Sequence, residues 1–484
     1  MDKYLVRGGI KLTQVNWISE VEKRKEALIK DTQDLLHIKS LLDEQHATDD
    51  APLGKGVKEA LDFMLELGEK DGFTQKNVGN LAGHLEFGEG KELLGILCHV
   101  DVVPEGDGWT SDPFGAEIRD GKIFARGALD DKGPTMAAYY AMKIVKELGL
   151  PLKKRVRMII GTDEESKWRC VDHYFKHEEM PSLGFAPDAD FPIINAEKGI
   201  ADFDMVQKAP VKDSAEANLE VQSFVSGKRY NMVPDHAKAV ISVMANQNEV
   251  IEQFISHMKE YELEYSYQTE NGKLILEVVG VSAHGLEPRN GKNAGLFLAE
   301  FLSKRSLDAK SAHYFHFLTH YFFNDSRGVN LGVAYSDEIS GELTINPGKL
   351  AYSKEAGGII GMTCRYPVTN KMEDTKEKLD ALLLDEGFAI ENFSDSKPHH
   401  VDEKEFLIQT LKKVYEEQTA EKAELIAIGG GTYARSLEAG VAFGPLFPGR
   451  PDIAHQKDEY MYIEDLLKAT AIYAQAIYEL AKTE

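Results

Sequence analysis

The stretch Gly95-Ile96-Leu97-Cys98-His99-Val100-Asp101-Val102-Val103-Pro104 decides how the chain is read. An apolar run ends in a histidine, one spacer and an aspartate. A buried strand in an open α/β sheet delivers polar side chains to its carboxyl end, where such folds place their sites. A histidine there needs a fixed tautomer to bind a metal, and a nearby carboxylate commonly fixes it. A hydrogen-bonded structural histidine is the plainer alternative, so the rest of the chain must supply partners. Cys98 should point to the opposite side of the strand and pack.

Outward from this strand the pattern alternates. Upstream, the apolar spacing predicts helices over residues 18–42 and 57–67 and a strand over 80–87. Downstream, residues 104–121 are rich in Gly, Asp and Pro and read as loop. Gly127-Ala-Leu-Asp130-Asp131-Lys-Gly-Pro134 opens a helix over 135–148. A strand over 155–162 ends in Asp163-Glu164-Glu165, and another buried segment ends at Pro187-Asp188. Alternating strands and helices of this kind point to a largely parallel, covered sheet. The texture changes after residue 199. Helices are expected over 248–258, 292–303 and 373–384, and strands over 237–244, 273–279, 330–334, 342–346 and 358–364. This reads as a separate α/β unit inserted into the first domain. The first domain then resumes with a helix over 403–418, the glycine run Gly429-Gly430-Gly431, a strand over 441–444, a loop over 448–456 and a helix over 463–481.

The totals narrow the class. A chain of 484 residues holds two or three domains. Hydrophobic content of 43% and charged content of 28% are those of an ordinary globular protein. A net charge of −24 argues against a nucleic-acid partner and against an anionic membrane surface. Three scattered cysteines form no disulfide framework and suit a reducing compartment. Residues 1–14 show no signal-peptide pattern and read as an unstructured extension, and no apolar run reaches the roughly 18 residues of a spanning helix. The expected location is cytoplasmic.

Four acidic or histidine-bearing motifs thus stand at predicted strand or helix ends: His99/Asp101, Asp130/Asp131, Glu164/Glu165 and Asp188, with His455 in a C-terminal loop. Carboxylates are costly to bury unless paired or bound to a cation. Mixed His and carboxylate donors suit zinc, and also manganese or cobalt. Two histidines and three carboxylates are too many for one open zinc centre but fit two metals sharing one carboxylate and a water, about 3.5–4 Å apart. A further glutamate must then take the proton. Of Glu164 and Glu165 one would ligate and the other act as base, and spacing alone does not say which.

His99-Val-Asp101-Val-Val-Pro, Gly-Ala-Leu-Asp130-Asp131-Lys-Gly-Pro, Thr-Asp-Glu164-Glu165-Ser and Ala454-His455, in this order, resemble the dinuclear zinc peptidases that include ArgE- and DapE-like deacylases, aminoacylases and carnosinases. The stretches Phe185-Ala-Pro-Asp188-Ala-Asp190, Tyr230-Asn231-Met-Val-Pro-Asp235 and Ser282-Ala-His284-Gly are most similar to PepV-type dipeptidases. The resemblance implies an α/β catalytic domain with a mostly parallel sheet flanked by helices, formed by residues 1–199 and 397–484, interrupted by an inserted α/β lid domain, 200–396. It implies two Zn²⁺ per chain, with Mn²⁺ or Co²⁺ as alternatives. Asp130 would bridge them, Glu165 and His455 would complete one site, and His99 and Asp188 the other. Relatives carry a cis peptide after the bridging aspartate. Asp101 would orient His99, and Glu164 would be the general base. In the lid, His284 would stabilise the oxyanion with help from Asn231, and Arg365 would grip the substrate carboxylate, for which an arginine fork is better suited than a lysine. Gly430, Gly431 and Thr432 would meet the same end of the substrate through the main chain, a plain turn being the alternative.

The implied substrate is a dipeptide with a free amino terminus. The rivals are an N-acyl-amino-acid deacylase and a peptide-binding protein without activity. The long insert, which in PepV-like enzymes mimics a partner subunit, implies a monomer. His173, His177, His236, His399 and His400 read as solvent-facing residues. Trp168 and the run Tyr314, Phe315, Phe317, Tyr321, Phe322 and Phe323 read as core. His313, His316 and His320, with no carboxylate among them, read as packing or surface.

Overall fold

The computed structural model describes residues 15–208, 217–244 and 246–483. The extension expected over residues 1–14 lies outside them. The chain divides into two compact units, Met1–Asn195 with Val401–Ile426 and Thr432–Glu484, and Ala196–His400 with Ala427–Gly431. The inserted unit therefore runs from 196 to 400 rather than from 200 to 396, and it also takes in 427–431, which the sequence reading had left with the outer domain. Backbone pairing explains the shift. His399 and His400 pair with Glu197 and Ala196, so the two ends of the insert lie side by side at the carboxyl end of strand Ile193–Glu197. The Lys198 N–H donates to the Ile428 carbonyl, which ties the glycine-run segment to the same unit.

The first unit is built on a nine-stranded sheet whose strands lie in the order Thr74–Val78, Ala82–Phe87, Arg155–Gly161, Leu93–His99, Leu183–Ala186, Gly440–Ala442, Ile193–Glu197 and His399–His400, with Leu425–Ile428 also paired to Ile193–Glu197. The four central strands are mutually parallel, and antiparallel pairs flank them on both sides. Strand Leu93–His99 is buried along its whole length. Leu94, Ile96 and Cys98 enter the main core while Leu97 is buried outside that cluster, as the period-2 alternation of a doubly covered strand requires. Helix Lys132–Glu147 is buried on nearly every side, packed against the central strand and against helices Lys25–Leu36 and Ile463–Ala481. The single helix expected over 18–42 is broken: Trp17–Glu22 and Lys25–Leu36 are separate, with Lys23 and Arg24 at the break, both paired to Glu20. The expected loop over 104–121 contains the strand Glu117–Arg119, which turns at Asp120 and Gly121, both at positive φ, into Lys122–Phe124.

The second unit is an eight-stranded sheet, antiparallel throughout, in the order Glu264–Glu270, Lys273–Val279, His236–Val243, Leu219–Ser226, Thr344–Ser353, Gly357–Tyr366, Gly199–Gln207 and Phe388–Ser396. Helices Gln247–Glu260, Ala294–Ser303, Ala309–Phe322 and Met372–Asp385 contribute to its separate core. The helix Ala309–Phe322 was not predicted, and it carries the aromatic run that was read as core: Tyr314, Phe315, Phe317, Tyr321 and Phe322 are buried. The strand expected over 330–334 is a turn, framed by Gly328 and Gly332 at φ of 70° and 68°.

Candidate metal centre

The register of the parallel strands creates the centre. His99 pairs with Gly161, so strands Leu93–His99 and Arg155–Gly161 end at the same level. The residues that follow each end leave the sheet side by side, and Asp188 follows strand Leu183–Ala186 in the same way. Asp130 arrives from the segment that opens helix Lys132–Glu147, and the peptide bond between Asp130 and Asp131 is cis. His455 comes from the C-terminal loop and holds a left-handed backbone, φ 62°.

Among the described residues two groups of donors lie close enough to hold a cation, His99 with Asp130 and Asp188, and Asp130 with Glu165 and His455; within each group the donor atoms are within 4.8 Å of one another. The groups share Asp130, one oxygen to each side. His99 Nε2 is 3.1 Å from Asp130 Oδ1 and 3.6 Å from Asp188 Oδ1. His455 Nε2 is 3.0 Å from Asp130 Oδ2 and 3.0 Å from Glu165 Oε1. Glu165, not Glu164, stands in a ligating group, which separates two neighbours that spacing could not.

Asp101 does more than aim the histidine. Its main-chain carbonyl lies 3.1 Å from His99 Nδ1, which sets the Nδ1–H tautomer and leaves Nε2 facing the carboxylates. Its carboxylate is 3.5 Å from the same nitrogen and accepts the N–H groups of Glu164 at 3.2 Å and Glu165 at 3.1 Å. One buried side chain therefore orients both members of the acidic pair. Asp131 Oδ2 accepts the N–H of His99 and the hydroxyl of Thr135, so this neighbour braces the strand end.

The electrostatics are those of crowded acids. Burial, then the charge of Asp188, holds the Glu164 carboxyl well above the usual range. Burial pushes Asp188 up to about 6. Burial opposes ionisation of Asp130, but hydrogen bonds from His455 and His99 pull its carboxyl down. Hydrogen bonds to Asp130 and Glu165 lift His455 to about 10. Two imidazoles facing three partly buried carboxylates, with a fourth alongside, form a donor set that fits divalent cations better than protons. His, Asp and Glu without thiolate is the set expected for zinc or manganese. Cys98, Cys170 and Cys364 are free and buried.

Three neighbours escaped the sequence reading. Tyr433 is buried with its ring edge-on to His99, centroids 5.9 Å apart, and its hydroxyl fills the space that a side chain at Gly161 would need. Arg126 and Glu459 form a buried ion pair at 2.5 Å beside Asp130. Burial, then the Asp130 charge, raises Glu459 to about 7 against the pull of Leu129 and Arg126. Glu459 follows Lys457 and Asp458, and only its place before Tyr460-Met461-Tyr462 marks it in the sequence as a candidate for burial.

The residues assigned to substrate binding lie mostly in the second unit. His284 Nδ1 accepts the Leu286 N–H at 3.1 Å, which leaves Nε2–H as a donor. Partial burial, then the Arg365 cation, lowers its pKa and favours that neutral donor form. The Gly285 N–H donates to the Asn231 carbonyl at 2.7 Å, and Met232 pairs with His284, so Asn231 and His284 share one turn cluster. Asn346 pins this cluster by donating to the carbonyls on either side of Asn231. Arg365 is buried near the end of strand Gly357–Tyr366. A side chain at Gly430 would meet nothing within 4 Å, so the space beside it is open. Thr432, in the first unit, caps the turn Tyr433–Ser436 through the Ala434 N–H. Asp190, expected without a ligand role, lies outside both donor groups.

The profile of Peptidase family M20/M25/M40 matches residues 95–479. "Putative dipeptidase YtjP" of Bacillus subtilis (strain 168) is 57% identical over 97% of this chain and 100% of its own length. A "Putative dipeptidase" of Staphylococcus epidermidis is 46% identical over 96% and 99%. Among solved structures, the aminoacylhistidine dipeptidase of Vibrio alginolyticus superposes with a TM-score of 0.58 at 13% identity, covering 95% of this chain and 97% of that one. The dipeptidase Dug1p of Saccharomyces cerevisiae gives 0.54 at 15%, covering 96% and 98%. At such identities these two structures speak to the fold alone. No helix among the described residues is long and apolar enough to cross a membrane.

Proposed function

The chain belongs to Peptidase family M20/M25/M40, and from that premise we propose that it hydrolyses dipeptides with a free amino terminus at a centre of two divalent cations. The observation that carries the proposal is the pair of donor groups sharing Asp130. The names of the similar bacterial proteins support the substrate class.

Asp130 would hold both cations, with His99 and Asp188 on one and Glu165 and His455 on the other. When bound, the cations supply Lewis acidity toward water and the scissile carbonyl. The protein's own residues do the rest. Glu164, held by Asp101 through its main chain, takes the proton of the attacking water and passes it to the leaving amine. His284 donates Nε2–H to the carbonyl oxygen as charge develops there, and Asn231 assists. Arg365 receives the substrate carboxylate, and the main chain at Gly430 and Gly431, with Thr432, meets the same end. In this reading the first unit is the catalytic domain and the second the lid. The chain acts as a monomer in the reducing setting that its three buried thiols suit, with zinc as the cation and manganese or cobalt as substitutes.

The test is a hydrolysis screen over free dipeptides, a tripeptide and N-acetyl and N-succinyl amino acids. Free dipeptides should be cleaved, chelation should abolish cleavage, and added Zn²⁺ or Mn²⁺ should restore it. Activity that survives chelation would remove the metal reading. Preference for acylated amino acids would replace the dipeptidase by a deacylase.

A further inference from the structure

We propose that the buried Arg126–Glu459 ion pair is a positioning element of the centre, tying together the segments that carry three of its five candidate ligands, His99, Asp130 and His455, and so setting cation affinity and turnover without touching substrate. The inference rests on the two-cation reading above. Every polar side-chain atom of the pair except the buried Arg126 Nε has a partner. The side chains are 1% and 0% exposed. Glu459 Oε2 takes Arg126 Nη1 at 2.5 Å, and Oε1 accepts the main-chain N–H of Leu129 at 2.8 Å and of Asp130 itself at 3.2 Å. The rest of the guanidinium reaches two other segments. Nη1 donates to the carbonyl of Gln456, next to His455, at 3.3 Å. Nη2 donates to the carbonyls of Pro104 and Glu105, just after His99-Val100-Asp101, at 3.4 and 3.3 Å. The Trp109 ring lies 5.4 Å from the guanidinium.

A buried ion pair is weak evidence for stability, because desolvation offsets most of the attraction and apolar substitutes are often as stable. What an apolar pair cannot do is hold main-chain groups of separate loops at fixed distances. One carboxylate oxygen and both terminal guanidinium nitrogens are used for that; three of the contacts fall on Asp130 or beside Asp130 and His455, and the other two hold the loop that follows Asp101. Arginine suits the task because its planar fork offers several donors in fixed directions.

Glu459→Gln keeps size and one acceptor for the two amides but presents an amide or a neutral oxygen to Arg126. Arg126→Lys keeps charge but not the fork. For both, the apo protein is followed by circular dichroism and melting, then titrated with Zn²⁺ against a chromophoric chelator, and kcat and KM are measured for one dipeptide. Outer supports of metal ligands typically contribute 10–100-fold in metal affinity. Glu459→Gln should keep the wild-type circular dichroism spectrum, weaken Zn²⁺ binding by about that factor and lower kcat, with KM changed less than about 2-fold. Excess Zn²⁺ should recover part of the rate, and Arg126→Lys should shift affinity the same way by less. Wild-type Zn²⁺ affinity in folded variants would overturn the inference alone. If Glu459→Gln fails to fold, Arg126→Lys decides by the same reading. Failure of both to fold would show a structural pair and overturn it too. A wild-type chain that takes up no Zn²⁺ would overturn the proposed function and this inference together.

Discussion

The two units use sheets of similar size in different ways. In the first, four adjacent parallel strands point their carboxyl ends to one edge, and His99, Glu165 and Asp188 follow three of them. In the second, every pairing is antiparallel. Neighbouring ends then alternate in direction, so no edge gathers carboxyl ends alone. Both donor groups found among the described residues lie in the first unit. The candidates of the second, His284 and Asn231, sit in turns held by main-chain bonds, and Arg365 belongs to a strand. Here the parallel strands bring acids and histidines to one place, where a cation could balance them. An antiparallel sheet presents separated donors that work as neutral or singly charged groups. Under the proposed mechanism, proton transfer would fall to the first unit and carbonyl and carboxylate recognition to the second.

The sharpest way to break that division is Glu164→Ala. The two ligand groups remain, so cation content should hold at the wild-type value by elemental analysis while kcat falls about 10²–10⁴-fold. Undiminished turnover would move the base elsewhere. Next is His284→Ala, which should lower kcat by about 10²–10³-fold with Zn²⁺ affinity unchanged. A loss of Zn²⁺ affinity there would erase the distinction between a cation-holding unit and a recognition unit.

The smallest effect separates the units by acid. His84 lies in the first unit's sheet, bonded to the Tyr174 hydroxyl at 2.8 Å, and burial, then the Arg157 cation, lowers its pKa to about 4. The unfolded chain takes up this proton near pH 6.5, before the folded chain does. The contribution of His84 is therefore complete above about pH 6.5 and is lost as pH falls toward 4, on the order of 3 kcal/mol in all. Trp17, Trp109 and Trp168 are the chain's three tryptophans, and all lie in the first unit, so denaturant titrations followed by tryptophan fluorescence read that unit. Between pH 7 and pH 4 wild type should lose more stability than His84→Gln by about this amount. Equal losses would refute the assignment.

Strand 93–99 was legible because every residue before His99 is apolar and Pro104 bounds the stretch, and the observed strand has those limits. The last helix was legible from the spacing of Ile463, Leu466, Thr470 and Ile477. The ligand groups were legible because acids abutted apolar runs. The break at Lys23 and Arg24 was not, since both residues suit a helix and the interruption is a matter of packing. The helix Ala309–Phe322 was hidden by aromatic and histidine residues at eight of its fourteen positions, which blur a polar face. Arg126 and Glu459 were invisible for a different reason: a charged residue reveals its burial only when its partner, far away in the chain, is known.

Strand Gly440–Ala442 sits between Leu183–Ala186 and Ile193–Glu197. A ribosome makes those two neighbours long before the strand that separates them. Until Gly440–Ala442 is made, those two neighbours lack the strand that lies between them in the folded chain, and His455, the last residue of the two donor groups, is made later still. If the proposed centre is the active one, the order in which its parts are made delays activity until nearly the whole chain exists, and a product truncated before this strand would lack both the strand and His455.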